Sequence, residues 1–93
     1  MQKLQDTIIA ALTELLNNRG DTGIQITPAT EVFGHLGLDS YAFAELVLIL
    51  ETQTGLEPFS KAAHVIPIRT VGDLISVYSE EAERKAESGS ANV

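Results

Sequence analysis

The chain has no cysteine and no tryptophan, only three phenylalanines and two tyrosines, and six lysines and arginines against thirteen aspartates and glutamates. Without cysteine there are no disulfides and no thiolate metal sites, which fits a reducing compartment. The formal net charge of −7 argues against nucleic acid, because phosphate binding needs clustered Lys and Arg. An acidic surface suits instead a partner that presents a basic patch. No apolar run reaches the ~18 residues of a membrane span, and the N-terminus lacks a charged-then-apolar signal pattern. A soluble cytoplasmic protein is therefore expected. The 93 residues fit one small domain, with no room for a core and a separate substrate-enclosing catalytic domain.

What is present is helical periodicity. Leu4, Ile8, Ala11, Leu12 and Leu15 share one face at ~100° per residue, widened by Ile9 and Leu16. They predict a first helix over residues 3–17, ended by Asn17-Asn18-Arg19-Gly20. A long Gly- and Thr-rich connection follows, 18–38. Ile24 and Ile26 alternate like a strand but have no partner strand, and Thr27-Pro28 fits the start of a short helical turn better. Val32, Phe33, Leu36 and Leu38 are expected to tuck this connection onto the core. A second helix over 40–54 is apolar almost all round. Projection puts Phe43, Leu46, Val47 and Leu50 on its inner face and Tyr41, Ala44, Glu45 and Leu48 on the outer one.

Gly55 ends that helix. Residues 58–66 can hold only a short helix with Phe59, Ala63 and Ile66 inward, stopped by Pro67. Thr70-Val71-Gly72-Asp73 is a capping box for a last helix that faces Val71, Leu74, Ile75 and Tyr78 inward. Glu80 with Arg84 and Glu81 with Lys85 are spaced as favourable i,i+4 pairs. The fold expected is all-α, a small antiparallel bundle of three main helices and one short one. It occupies residues 1–85, with 86–93 as a disordered tail.

The pivotal stretch is Gly37-Leu38-Asp39-Ser40-Tyr41. Asp39 is a good N-cap, which puts the Ser40 hydroxyl in the first helical turn, beside unpaired N–H groups and the positive end of the helix dipole. An anionic group attached there is favoured. Extended to Phe33-Gly34-His35-Leu36-Gly37-Leu38-Asp39-Ser40 and on through Glu45-Leu46, the pattern resembles the acyl carrier protein family. The resemblance covers Leu4 to about Tyr78, including the Thr70-Val71-x-x-Leu74 opening of the last helix.

In that family the serine of the Asp-Ser pair carries 4′-phosphopantetheine as a phosphodiester. The resemblance implies Ser40 as attachment site and Asp39 as the acid required by the phosphopantetheinyl transferase that takes the group from coenzyme A. The thiol of the arm then holds acyl or aminoacyl groups as thioesters. The partner enzymes implied are acyl-loading or adenylating enzymes, ketosynthases and other acyl-transfer enzymes. They would read Tyr41, Ala44 and Leu48 as an apolar patch steered by Glu45 and Glu51, with the carrier itself a monomer. Leu36-Gly37-Leu38-Asp39-Ser40 and Thr54-Gly55-Leu56 look more like polyketide-type carriers than like the housekeeping fatty-acid form. Ala42, Lys61 and His64 also stand where fatty-acid carriers tend to be acidic. A polyketide or other specialised pathway is expected, with housekeeping fatty-acid synthesis as the alternative.

An enzyme would need Ser40 as nucleophile with His35 or His64 as base. The Gly-x-Ser-x-Gly pattern is absent, no strand precedes the serine, and nothing marks an oxyanion hole, so no catalytic residues are assigned. Two histidines far apart in a chain without cysteine give weak support for a metal site. The third possibility is an unmodified helical adaptor that binds protein through the outer face of helix two.

Overall fold

The computed structural model describes residues 2–59 and 68–91 and contains three helices: α1 (Gln2–Asn18), α2 (Ser40–Thr54) and α3 (Val71–Ala91). Among the described residues there is no strand, only an isolated antiparallel bridge between Glu31 and Thr70. None of these helices is long and apolar enough to cross a membrane.

Local chemistry satisfies the C-terminus of α1, both ends of α2 and the N-terminus of α3. α1 closes with a Schellman arrangement: Asp21 N–H donates to the Leu16 carbonyl at 2.8 Å and Gly20 N–H to Asn17 at 3.0 Å. Gly20 supplies the left-handed residue this requires, with φ +89°. α2 starts at the Asp39 cap and stops at Gly55, φ 72°, whose N–H returns to the Glu51 carbonyl. α3 opens on the reciprocal box read from the sequence: Thr70 N–H donates to Asp73 Oδ2 at 3.0 Å and Asp73 N–H to Thr70 Oγ1 at 3.1 Å. The backbone stays helical through residues 86–91, where the sequence reading placed a tail. Once a helix is nucleated, each further residue adds a hydrogen bond at little cost.

α1 packs on both α2 and α3. Its Ile8, Ala11, Leu12, Leu15 and Leu16 are buried, together with Leu46 and Leu50 of α2 and Val71, Leu74 and Tyr78 of α3. The connection from α1 to α2 closes the core with Val32, Leu36 and Leu38, all buried. It is stitched to the start of α3 by Val32 N–H to Arg69, Val71 N–H to Thr30 and Gly72 N–H to Pro28, at 2.8–2.9 Å. The last of these brings backbone so close that a Cβ on Gly72 would stand 3.0 Å from the Pro28 oxygen. Thr27 and Thr30 form a hydrogen-bonded turn at the Pro28 site where a short helical turn was expected. From there to Tyr78 a row of rings crosses the molecule: Phe33–Phe43, Phe43–Phe59 and Phe59–Tyr78, with centroids 5.3, 5.8 and 6.1 Å apart.

Three details depart from the sequence reading. The buried stripe of α2 is Ala42, Leu46 and Leu50, spaced i, i+4, i+8, whereas Phe43 and Val47 are half-buried on its flank. Phe33 is 42% exposed, resting on Phe43 from outside rather than tucked in. In α3 the Arg84 guanidinium meets Glu81, at 2.7 Å, and Lys85 Nζ reaches across to the Gly55 carbonyl at 3.0 Å. Glu81 is itself buried, so it is the nearer and less hydrated partner for Arg84. The short helix expected over 58–66 falls mostly outside the described residues, as do Lys61, Ala63, His64, Ile66 and Pro67. Phe59, which is described, packs against the core as expected.

Candidate functional site

The site is built at the head of α2. Gly37 turns the chain with φ +70°, a conformation that carries a penalty for any residue with a Cβ. Leu38 is then buried and fixes the entry of the chain. Asp39 follows with extended backbone, φ −97° and ψ −178°. Its Oδ1 accepts the Ala42 N–H at 2.8 Å and its carbonyl accepts the Phe43 N–H at 2.9 Å. One orphan donor of the first turn is thereby satisfied by the cap side chain.

Ser40 is the first residue of α2 and is exposed. Its hydroxyl makes no hydrogen bond among the described residues. The Asp39 carboxylate at the cap offsets part of the positive end of the dipole, and no further acidic side chain lies in the first turn of α2. The arrangement suits a phosphate ester on Ser40: it has room, no competing partner for the oxygen among the described residues, and a place at a helix N-terminus.

Beside Ser40 the outer face of α2 is bare. Tyr41 is 80% exposed and Leu48 64%. With Ala44 and Glu45 they line a shallow hollow of about 230 Å³. Beyond Leu48 a second hollow of about 360 Å³ is floored by Ile49, Thr52 and Gln53 and reaches Glu14 of α1. Leu48 is therefore a ridge between two depressions, with one carboxylate on either side. The structure brings together Tyr41, Ala44, Glu45 and Leu48. Glu51 is apart from them, half-buried, its charge felt by the Tyr78 hydroxyl.

Glu14 was not singled out from the sequence. Periodicity along one helix cannot tell which residues of another helix will lie next to it, and an isolated acid on the polar side of α1 carries no signal. His35 is exposed in the connecting loop, beside Thr27, Thr30 and Glu31; His64 lies outside the described residues. Among the described residues no three of His, Asp or Glu come together in a way that could hold a metal ion.

Comparison with protein families, with curated proteins and with solved structures finds no match to this chain.

Proposed function

We propose that the protein is a carrier that holds acyl or aminoacyl intermediates on a 4′-phosphopantetheine arm attached to Ser40 and presents them to biosynthetic enzymes. The observation that carries this reading is the division of labour between neighbours: Asp39 caps α2 and leaves the Ser40 hydroxyl exposed and unengaged. A serine needed only to start the helix would be the cap itself. In the proposed reaction the Ser40 oxygen attacks the pantetheine-side phosphorus of coenzyme A, the pyrophosphate P–O bond breaks, 3′-phosphoadenosine 5′-phosphate leaves, and the hydroxyl proton passes to a base of the transferase. Asp39 would help the transferase hold a metal ion beside that pyrophosphate, as the resemblance implies. When bound, the arm supplies a terminal thiol for thioester chemistry that no residue of this cysteine-free chain can provide.

The chain's own part is attachment and recognition. The ridge formed by Tyr41 and Leu48 offers apolar contact close to Ser40, and Glu45 supplies a rim charge. Rim charges govern on-rate and salt sensitivity more than affinity, which suits a carrier that must leave each partner quickly. The partners proposed are the transferase, acyl-loading or adenylating enzymes, and ketosynthases.

We assign the carrier to a polyketide or other specialised pathway, on the resemblance of Leu36–Ser40 and Thr54–Leu56. Ala42 no longer contributes to that assignment: it is buried, so its lack of charge says nothing about the docking surface. Covalent loading of Ser40 from coenzyme A by a broad-specificity transferase, read by intact mass, tests the carrier assignment.

A further inference from the structure

At the end of the bundle opposite Ser40, about 20 Å along α2 at ~1.5 Å per residue, the three helices border an open hollow of about 440 Å³. Leu4, Leu56 and Ala82 form its apolar wall, and Lys3 and Lys85 lie at its polar side. In a chain with thirteen acidic residues, none of them lines this pocket. Arg69 and Arg84 are engaged with Glu31 and Glu81, whereas Lys3 and Lys85 form no ion pair among the described residues. Two of the chain's few cations thus border one mostly apolar hollow that has no acidic residue in its lining.

Of the other polar side chains in the lining, Gln53 leaves its amide available to a ligand, whereas the two threonines do not offer their hydroxyls. Thr7 donates to the Lys3 carbonyl at 2.9 Å and Thr54 to the Leu50 carbonyl at 2.6 Å. Thr54 Oγ1 also accepts the Leu56 N–H at 3.1 Å. Their hydroxyls are engaged with backbone, which leaves their methyl groups for contact. Lys85 is held by its bond to the Gly55 carbonyl, and an ammonium has three donors, so two remain. A head group already fixed in place loses less entropy when a ligand binds.

We propose that this pocket binds a medium-chain aliphatic carboxylate non-covalently, its head group between Lys3 and Lys85 and its chain along Leu4, Leu56 and Ala82. The volume falls in the range of small-molecule sites and accommodates about ten to fifteen heavy atoms at roughly 30 Å³ each. The site is independent of Ser40 and would let the protein register the free acid while its attachment serine is engaged elsewhere.

The test is an NMR titration of the full-length ¹⁵N-labelled protein with decanoate, with 1-decanol as the uncharged control. Decanoate should produce saturable shifts at the amides of residues 3–7, 53–56 and 82–86. Lys3→Gln and Lys85→Gln should each weaken it by up to about tenfold, the scale of a charge-assisted hydrogen bond. Lys3→Gln removes no hydrogen bond made by its own side chain, so it keeps the test clear of any loosening at Gly55. Decanol should bind more weakly than decanoate. Ser40→Ala should bind decanoate as the wild type does, so failure of this site and failure of loading at Ser40 are read separately. The proposal is overturned by the absence of saturable shifts, by shifts centred on Tyr41 and Leu48 instead, or by equal binding of decanol or of both lysine variants.

Discussion

The Asp39 carboxylate accepts the Ala42 N–H at 2.8 Å, while Ser40, the residue between them that begins α2, is exposed and makes no hydrogen bond through its side chain among the described residues. Asp39→Ala should therefore cost about 0.5–2 kcal/mol, the usual range for a lost N-cap. Ser40→Ala should cost less than about 0.5 kcal/mol, as for a surface change that removes no contact. Urea titrations of the two variants check this. A Ser40→Ala cost equal to that of Asp39→Ala would make Ser40 part of the cap.

On the outer face of α2, Leu48→Ala should cost less than about 1 kcal/mol, whereas Leu46→Ala or Leu50→Ala should cost about 2–5 kcal/mol for opening a cavity in the core. Glu45→Lys should leave the melting temperature nearly unchanged, slow acyl transfer to partner enzymes and flatten its salt dependence. Melting curves and transfer rates across a salt series read both effects. A Leu48→Ala loss matching that of Leu46→Ala would place Leu48 in the core.

The backbone N–H groups of Thr70 and Arg69 hold the Asp73 carboxyl below its usual pKa against the opposing effect of desolvation, with smaller help from the Thr70 hydroxyl and the Arg69 charge. A depressed folded-state pKa stabilises the protein above the unfolded value of ~4, and that contribution is lost as pH falls through the folded value. Asp73→Ala should lower the melting temperature at pH 7, and the gap to wild type should close in acid. Thermal melts from neutral pH down into acid measure it. A gap that stays constant would mean that the box acts without the carboxylate charge.

Tyr78 is fully buried, and its hydroxyl has no partner among the described residues. Burial, and then the Glu51 charge, push its pKa well above the ordinary value. A raised folded-state pKa gives stability that is present below the unfolded pKa of ~10 and declines as pH rises past it, because only the unfolded tyrosine ionises there. Tyr78→Phe should be at least as stable as wild type at pH 7, since an orphaned buried hydroxyl costs about 1–3 kcal/mol. It should also lose less stability than wild type above pH ~10. Urea midpoints at neutral and alkaline pH decide it; a Phe variant clearly less stable at pH 7 would show that the hydroxyl is satisfied.

How much of this was legible in the sequence follows from which signals are local. The Asp39 cap, the Thr70–Asp73 box and the Gly20 and Gly55 stops depend on residues within a turn of each other, and all appear where the pattern puts them. The exposure of Tyr41 and Leu48 also followed from projection, because α2 has too little polar surface to cover both sides. The roll of α2 did not follow. Ala42 is buried in place of Phe43 because a small residue allows close approach, and single-helix periodicity does not weigh size. Tertiary partners were equally out of reach: Glu14 beside Leu48, Lys85 on Gly55 and the aromatic row ending at Tyr78 join segments far apart in the chain.

The most direct measurement is intact mass after incubation of the protein with coenzyme A, magnesium and a broad-specificity phosphopantetheinyl transferase, run beside Ser40→Ala with helicity checked by circular dichroism. The account predicts a gain of one phosphopantetheine on the wild type, placed on Ser40 by peptide mapping, and no gain on a Ser40→Ala protein that remains helical. An unmodified wild type, or a Ser40→Ala variant that still takes up the group, would contradict it.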